Sequence, residues 1–178
     1  MKRFSQTVSI ILAAVMLLSV LAACSGSSGG AGQKDSAQST EAPAIGGETQ
    51  TWGEITVTVP ADMRMQGGDG TFDPDDQKTL WLYDTASSMK YMKVTIVDSE
   101  DSAASDIGIS KSVNEDYSPV DVTLSAGGEW KGISYDANGT PCCSMYATIG
   151  DKVFYVMMAG EGYAYDSEKV KSILSSLK

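Results

Sequence analysis

Four aspartates crowd into one short, glycine-rich segment of the chain. Asp69, Asp73, Asp75 and Asp76 all lie within residues 67–76. Hard cations such as Ca²⁺ take about six to eight oxygen ligands, and carboxylates at nearly alternate positions can converge on one ion. The spacing departs from the EF-hand pattern, because no glutamate closes the loop at its twelfth position. The segment therefore predicts either a calcium site or a solvated loop between two strands.

Sulfur ligands for a softer metal are present as well. Cys142 and Cys143 are adjacent on a predicted strand, so their side chains point to opposite faces and a vicinal disulfide would be strained. The methionines beyond residue 50 are Met63, Met65, Met89, Met92, Met145, Met157 and Met158. Thiolate and thioether ligands select Cu(I), whereas the same side chains also fill apolar cores. Both interpretations stay open at this point.

A nucleophilic enzyme has only a weak signature here. Residues 87–90, Ser-Ser-Met-Lys, match the S-x-x-K pattern of penicillin-binding enzymes, but residues 175–178 match it too. The chain has no histidine, which excludes Ser-His-Asp and Cys-His systems and His-ligated zinc. We therefore predict no catalytic residue and no cofactor, and a small hydrolase using a Ser-Lys or carboxylate pair is kept as the third alternative.

The charge balance also restricts the partners. The 178 residues contain 13 Lys and Arg against 23 Asp and Glu, a formal net charge of −10. Binding to nucleic acid needs a basic face that neutralises phosphates, so nucleic acid is not an expected partner. Apolar residues make up 42% of the chain, enough for a folded domain of ordinary size.

Alternating apolar residues predict a series of strands that would position these groups. The predicted strands cover residues 55–59, 80–83, 91–97, 120–124, 129–135, 142–149 and 153–158. Between two of them, Asn138-Gly139 predicts a tight hairpin turn, because these residues tolerate positive φ. The later strands should form an antiparallel meander.

Two segments have helical character. Residues 102–117 contain Ala103, Ala104 and Ile107 at helical spacing, weakened by Gly108. Near the end of the chain, one helical stripe consists of Val170, Ile173, Leu174 and Leu177. Asp166 or Ser167 can cap that second helix. Strands with a helix between them and a packed C-terminal helix predict an α+β fold.

Several short motifs resemble the PsbP-like/DcrB-like superfamily. They are Thr58-Val59-Pro60, Trp130-Lys131-Gly132, the segment Asp151 to Val156, and the segment Ile173 to Lys178. The resemblance covers most of residues 51–178 and implies an α/β/α sandwich built on an antiparallel sheet. It also implies an accessory or binding protein, and it transfers no functional residue to this chain.

The N-terminus has the order of a secretory signal. Lys2 and Arg3 precede an apolar stretch from Val8 to Ala22, which is short for a membrane span. Leu21-Ala22-Ala23-Cys24 resembles a bacterial lipobox. That resemblance implies a signal peptide at residues 1–23 and a lipid on Cys24, which would hold the protein on the extracytoplasmic face of a bacterial cell membrane.

The following residues separate this anchor from the domain. Residues 24–50 are rich in Ser, Gly, Ala and Gln, and Ile45 is their only large aliphatic residue. Such a composition predicts a flexible linker, with a single globular domain at residues 51–178.

The sequence therefore predicts a membrane-anchored, non-catalytic module that binds a protein or a small molecule. A metal-binding envelope lipoprotein is the alternative, with calcium at the aspartate loop or Cu(I) at the sulfur atoms. The residues that would bind a partner are not identifiable from sequence. The three tryptophans, Trp52, Trp81 and Trp130, are the largest candidate anchors, and their exposure would be the informative observation.

Overall fold

The computed structural model describes residues 46–69, 73 and 75–178. The predicted signal peptide, Cys24 and most of the predicted linker lie outside the described residues. Within the described part, neither helix is long and apolar enough to cross a membrane.

Strands dominate the described residues. In chain order the elements are β1 (Gly47–Trp52), β2 (Ile55–Pro60), β3 (Met63–Gly67), β4 (Thr79–Asp84), β5 (Tyr91–Val97), α1 (Glu100–Val113), β6 (Tyr117–Leu124), β7 (Gly128–Ala137), β8 (Thr140–Ile149), β9 (Lys152–Ala159) and α2 (Glu168–Ser176). Each predicted strand is present, and the Asn138-Gly139 turn has φ values of 55° and 85° as predicted.

Seven of these strands form one antiparallel sheet in the order β3-β4-β5-β9-β8-β7-β6. Strands β6 to β9 form the predicted meander, and β9 then pairs with β5 in the middle of the sheet. Strands β1 and β2 form a separate two-stranded hairpin. The predicted α+β fold class, with helices packed on an antiparallel sheet, is confirmed.

One face of the sheet, the core face, is closed by the hairpin and α2. Ile55, Val57 and Val59 of β2 pack with the buried side chains of α2 and of the sheet in one continuous cluster. The end of the chain is fixed to the hairpin by two backbone hydrogen bonds between Thr56 and Lys178, both of 3.0 Å. Because both covering elements are apolar towards the sheet, this face excludes water.

Helix α2 follows the sequence prediction closely. Ser167 caps it, accepting a hydrogen bond from the Val170 N–H, and Glu168 lies in the first turn. The four residues of the predicted stripe are all buried.

Helix α1 packs on the opposite face, which we call the α1 face. Ser99 is its N-cap, and Glu100 and Asp101 place negative charge in the first turn. Only Ala103 and Ile107 are buried, against Ile133 and Tyr155 of the sheet. The helix begins and ends a few residues earlier than predicted, because its cap lies at Ser99.

Two strands and one boundary differ from the sequence predictions. Strand β1 begins at Gly47, so the predicted domain start at Thr51 falls inside a strand and the linker cannot extend to residue 50. Backbone pairing with β2 orders residues 47–50 even though they have no large apolar side chain. Strand β3 was not predicted either, although Met63 and Met65 alternate with polar residues.

Candidate functional site

An open aromatic surface lies on the α1 face, over the strands that α1 does not cover. Helix α1 contacts β8 most, followed by β7, β9 and the later part of β5, which leaves the outward side chains of β3, β4 and the start of β5 uncovered by a helix. We call Trp81, Tyr83 and Tyr91, together with Arg64 and Lys93, the aromatic patch.

Strand alternation and register bring these five side chains together. On β4, Leu80 and Leu82 point to the core face, so Trp81 and Tyr83 point the other way. Tyr83 pairs with Tyr91 on β5 and with Arg64 on β3, and Trp81 pairs with Lys93. Directly paired side chains in antiparallel sheets lie within contact distance.

The three rings contact one another. The rings of Trp81 and Tyr83 are parallel within 1°, with centroids 5.7 Å apart. Tyr91 is tilted against both, with centroid distances of 5.3 Å to Trp81 and 6.4 Å to Tyr83. All three side chains are half-buried. Such packing fixes the orientation of the three rings relative to one another.

Two cations are seated over these rings. The Arg64 guanidinium lies 5.1 Å from the Tyr83 centroid, and the Lys93 amine lies 5.0 Å from the Trp81 centroid. Lys93 also forms an ion pair of 2.9 Å with Asp69, whereas Arg64 is exposed. The Trp81 indole N–H is buried, and no described residue accepts a hydrogen bond from it.

A shallow cleft adjoins the patch at Lys93 and runs between the sheet and α1. Its volume is about 330 Å³, within the lower range of ligand pockets. The lining residues are Lys93, Thr95, Val97, Asp106, Ile109, Ser110, Tyr155 and Met157. Ile109 is exposed on the helix side of the cleft. The α1 face therefore combines an aromatic surface with an adjoining groove.

Two titratable groups of the α1 face, Tyr91 and Cys142, remain neutral near pH 7. Burial raises the pKa of Tyr91, and the nearby Cys142, Tyr135 and Tyr83 raise it further. Burial and then the Asp136 carboxylate raise the pKa of the Cys142 thiol. Both groups are thus protonated at neutral pH, which suits contact and hydrogen bonding rather than nucleophilic attack.

The side chains of the other two tryptophans make contacts within the fold. Trp130 is completely buried on the core face. Trp52 packs over Gly67 and donates a hydrogen bond of 2.7 Å from Nε1 to the Asp76 carbonyl. Trp52 and Trp81 are both half-buried, but the Trp52 indole is held by these contacts, so Trp81 is the half-buried tryptophan whose indole has no hydrogen-bond partner among the described residues.

Three of the four predicted calcium ligands have carboxylates with separate partners. Asp69 pairs with Lys93, Asp73 accepts from the Asp75 N–H at 3.1 Å, and Asp76 accepts from the Lys78 N–H at 2.8 Å. In the described part of the chain, no three Asp, Glu or Cys side chains are grouped closely enough to hold a metal ion. The local hydrogen bonds are those of a turn-forming loop.

The sulfur atoms lie mainly in the core. Cys143 Sγ is 3.9 Å from Met145 Sδ, and both side chains are buried. Burial, followed by the neighbouring Cys142, raises the pKa of Cys143 to about 12. Cys142 and Cys143 point to opposite faces of β8, as predicted, and both are free thiols. This geometry favours core packing over Cu(I) binding.

The S-x-x-K motif at residues 87–90 lies in the loop between β4 and β5. The Lys90 N–H donates to the Ser87 carbonyl at 3.1 Å, so the segment is a turn rather than a helix. The one-turn spacing that brings serine and lysine together in penicillin-binding enzymes is therefore not present here.

Comparisons with known proteins bear on the fold alone. The chain matches no family model, and no curated protein sequence is similar to it. A crystal structure of a protein from Bacteroides thetaiotaomicron VPI-5482 has 12% identity and a TM-score of 0.46, and the match covers 74% of this chain and 48% of that one. This chain thus spans about half the length of the Bacteroides protein.

A second similar structure is the solution structure of cyanobacterial PsbP (CyanoP) from Synechocystis sp. PCC 6803. It has 10% identity and a TM-score of 0.46, and the match covers 74% of this chain and 91% of that one.

Proposed function

We propose that this protein is a lipid-anchored, extracytoplasmic accessory module without catalytic activity, whose aromatic patch binds another protein. The observation that carries the proposal is the cluster of Trp81, Tyr83 and Tyr91 with Arg64 on an open sheet face. Trp, Tyr and Arg are the residue types that contribute most of the binding energy at protein interfaces.

The distribution of charge also supports the aromatic patch as the surface that binds a protein. The outward positions of β3, β4, β5, β9 and β8 carry Arg64 and Lys93 and no carboxylate, and Asp69 of the adjoining loop pairs with Lys93, although the whole chain has a net charge of −10. Interface centres are depleted of charged side chains and enriched in aromatic residues and arginine.

Site-specific photo-crosslinking in the cells that make the protein tests this binding. A crosslinking residue replaces Gln66, which is exposed and pairs with Trp81 in the sheet. The matched control carries the crosslinker at Asp151, exposed in the turn before β9. We expect a discrete protein adduct from position 66 that weakens with Trp81→Ala, and none from position 151. Equal adducts at both positions, or no adduct at position 66, would contradict the proposal.

Membrane anchoring is tested at Cys24. Replacing Cys24 with Ala removes the proposed lipid attachment, so the protein should leave the detergent phase in phase partitioning or remain unprocessed. A Cys24→Ala variant that partitions into detergent like the parent protein would show that the anchoring proposal is wrong.

A further inference from the structure

The loop between β4 and β5 presents an apolar side chain to solvent from a hydrogen-bonded turn. Met89 is 78% exposed, the highest value among the exposed large apolar residues of the described chain. Asp84 accepts a hydrogen bond of 2.8 Å from the Ala86 N–H, and the Lys90 N–H donates to the Ser87 carbonyl at 3.1 Å. The turn thus holds Met89 outward by several hydrogen bonds.

The neighbours of Met89 are of the types found at membrane–water interfaces. Lys90 and Tyr91 follow it directly, Tyr83 pairs with Tyr91, and Arg64 lies over the Tyr83 ring. Aromatic rings and long basic side chains keep an apolar part in the lipid and a polar end in water.

Carboxylates that contact this loop are engaged by other groups. Asp62 forms an ion pair of 2.5 Å with Lys169. The Ala86 N–H lowers the pKa of Asp84 by hydrogen bonding, and Asp84 also accepts from the Tyr163 hydroxyl at 3.4 Å. Asp62 is therefore paired with a cation, whereas Asp84 stays ionised, and a lipid surface without net charge repels neither of them.

The chain enters the fold at the same end as this loop. Gly47, the first residue of β1, pairs with Pro60 at the end of β2. Two residues later, the Asp62 carbonyl accepts a hydrogen bond of 2.9 Å from the Thr85 N–H of the loop. Residues 25–46 separate this entry point from Cys24, and a Gly/Ser-rich chain of that length has an average reach of about 25 Å.

We infer that the β4–β5 loop, with Met89 at its tip, contacts the lipid surface to which the protein is anchored. The inference rests on the proposed anchoring at Cys24. Because the tether makes this contact intramolecular, a weak interaction is enough to orient the domain. Trp81 lies two residues further from the loop than Tyr83, about 7 Å along the strand, so the end of the patch formed by Trp81 and Lys93 stays open to a partner beside the membrane.

Quenching of a newly introduced tryptophan tests the contact. The full chain, extracted from membranes, is reconstituted into phosphatidylcholine vesicles with or without bromine on the acyl chains, and only protein that floats with the vesicles is measured. Met89→Trp places the reporter at the loop tip. The matched control, Ala126→Trp, places it in the exposed β6–β7 turn at the opposite end of the sheet.

Emission added by Met89→Trp should be mostly lost in brominated vesicles, whereas emission added by Ala126→Trp should be retained. Equal quenching of both reporters, or quenching of the Ala126→Trp reporter alone, would overturn the inference. Protein that does not float with the vesicles would contradict the anchoring, and the lipid contact with it. Floating protein with no quenching at position 89 would refute the contact while leaving the anchoring intact.

Discussion

The two faces of the seven-stranded sheet carry similar residue types but have very different surroundings. Trp130 on the core face is completely buried under elements with apolar surfaces, while Trp81 on the α1 face is half-buried among other aromatic residues. Helix α2 contributes a full apolar stripe, and α1 contributes only Ala103 and Ile107. The covering element, more than the strand itself, therefore decides whether an aromatic side chain belongs to the core or to a surface.

Removing each tryptophan in turn tests this contrast and should give the largest effect. Trp130→Ala should cost about 3–5 kcal/mol, because it leaves a large cavity in a closed core. Trp81→Ala should cost less than about 2 kcal/mol, because its neighbours already contact water. Urea unfolding of both variants measures the difference. Equal losses would mean that the α1 face is as closed as the core face.

Helix α2 offers a second matched pair on the core side. Leu174→Ala should cost about 2–5 kcal/mol, because Leu174 is completely buried against the sheet and hairpin. Lys171→Ala should cost under about 0.5 kcal/mol, because its ion pair with Glu168 at 3.4 Å is solvent-accessible. Similar small losses in denaturant melts would show that α2 is loosely held.

The strands that the sequence predicted share one property, namely regular apolar alternation with one side in the core. Ile55, Val57 and Val59 are an example, and all three are buried. Strand β1 lacks that signal because residues 47–51 are polar or glycine, and only the register with β2 determines its structure. Pairing with a partner strand is a long-range property that local pattern does not reveal.

The aromatic patch could not be predicted from the sequence, for a related reason. On β4, Leu80 and Leu82 alternate with Trp81 and Tyr83, so both faces of the strand are apolar. Alternation shows that the two aromatic residues share a face, but not which face the covering elements close. Arg64 could not be added either, because β3 was not predicted.

Shortening the chain should have an intermediate effect. A chain that begins at Thr51 loses most of β1 and its pairing with β2, which should cost on the order of 1 kcal/mol because these residues bury little surface. A chain that begins at Gly47 is the control and keeps every β1 pair. Thermal melts compare the two. Identical midpoints would mean that β1 adds nothing to the stability of the core face.

The two cysteines of β8 give the smallest but most direct comparison of the faces, since adjacent residues point to opposite sides. Cys142 on the α1 face is half-buried, whereas Cys143 is buried on the core face, where burial raises its pKa to about 12. At pH 8 without denaturant, iodoacetamide should modify Cys142 slowly and leave Cys143 unmodified, with peptide mass spectrometry as the readout. The rate at which iodoacetamide modifies Cys142 should rise with pH, because the raised pKa of this thiol keeps the thiolate fraction low near neutral pH.

The raised pKa values of the Cys142 and Cys143 thiols also predict how the stability of the protein changes at alkaline pH. Both folded-state pKa values lie above the ordinary thiol value of 9.0, so folding favours the protonated thiols. Their contribution to stability is complete below about pH 9 and declines as the pH rises through the range up to about 12, with Cys143 responsible for most of the loss. Cys143→Ala should therefore flatten the alkaline limb of the stability curve, and Cys142→Ala should change it less. In the iodoacetamide experiment, modification of Cys143 in the native protein as fast as that of Cys142 would show that the core face opens as readily as the α1 face.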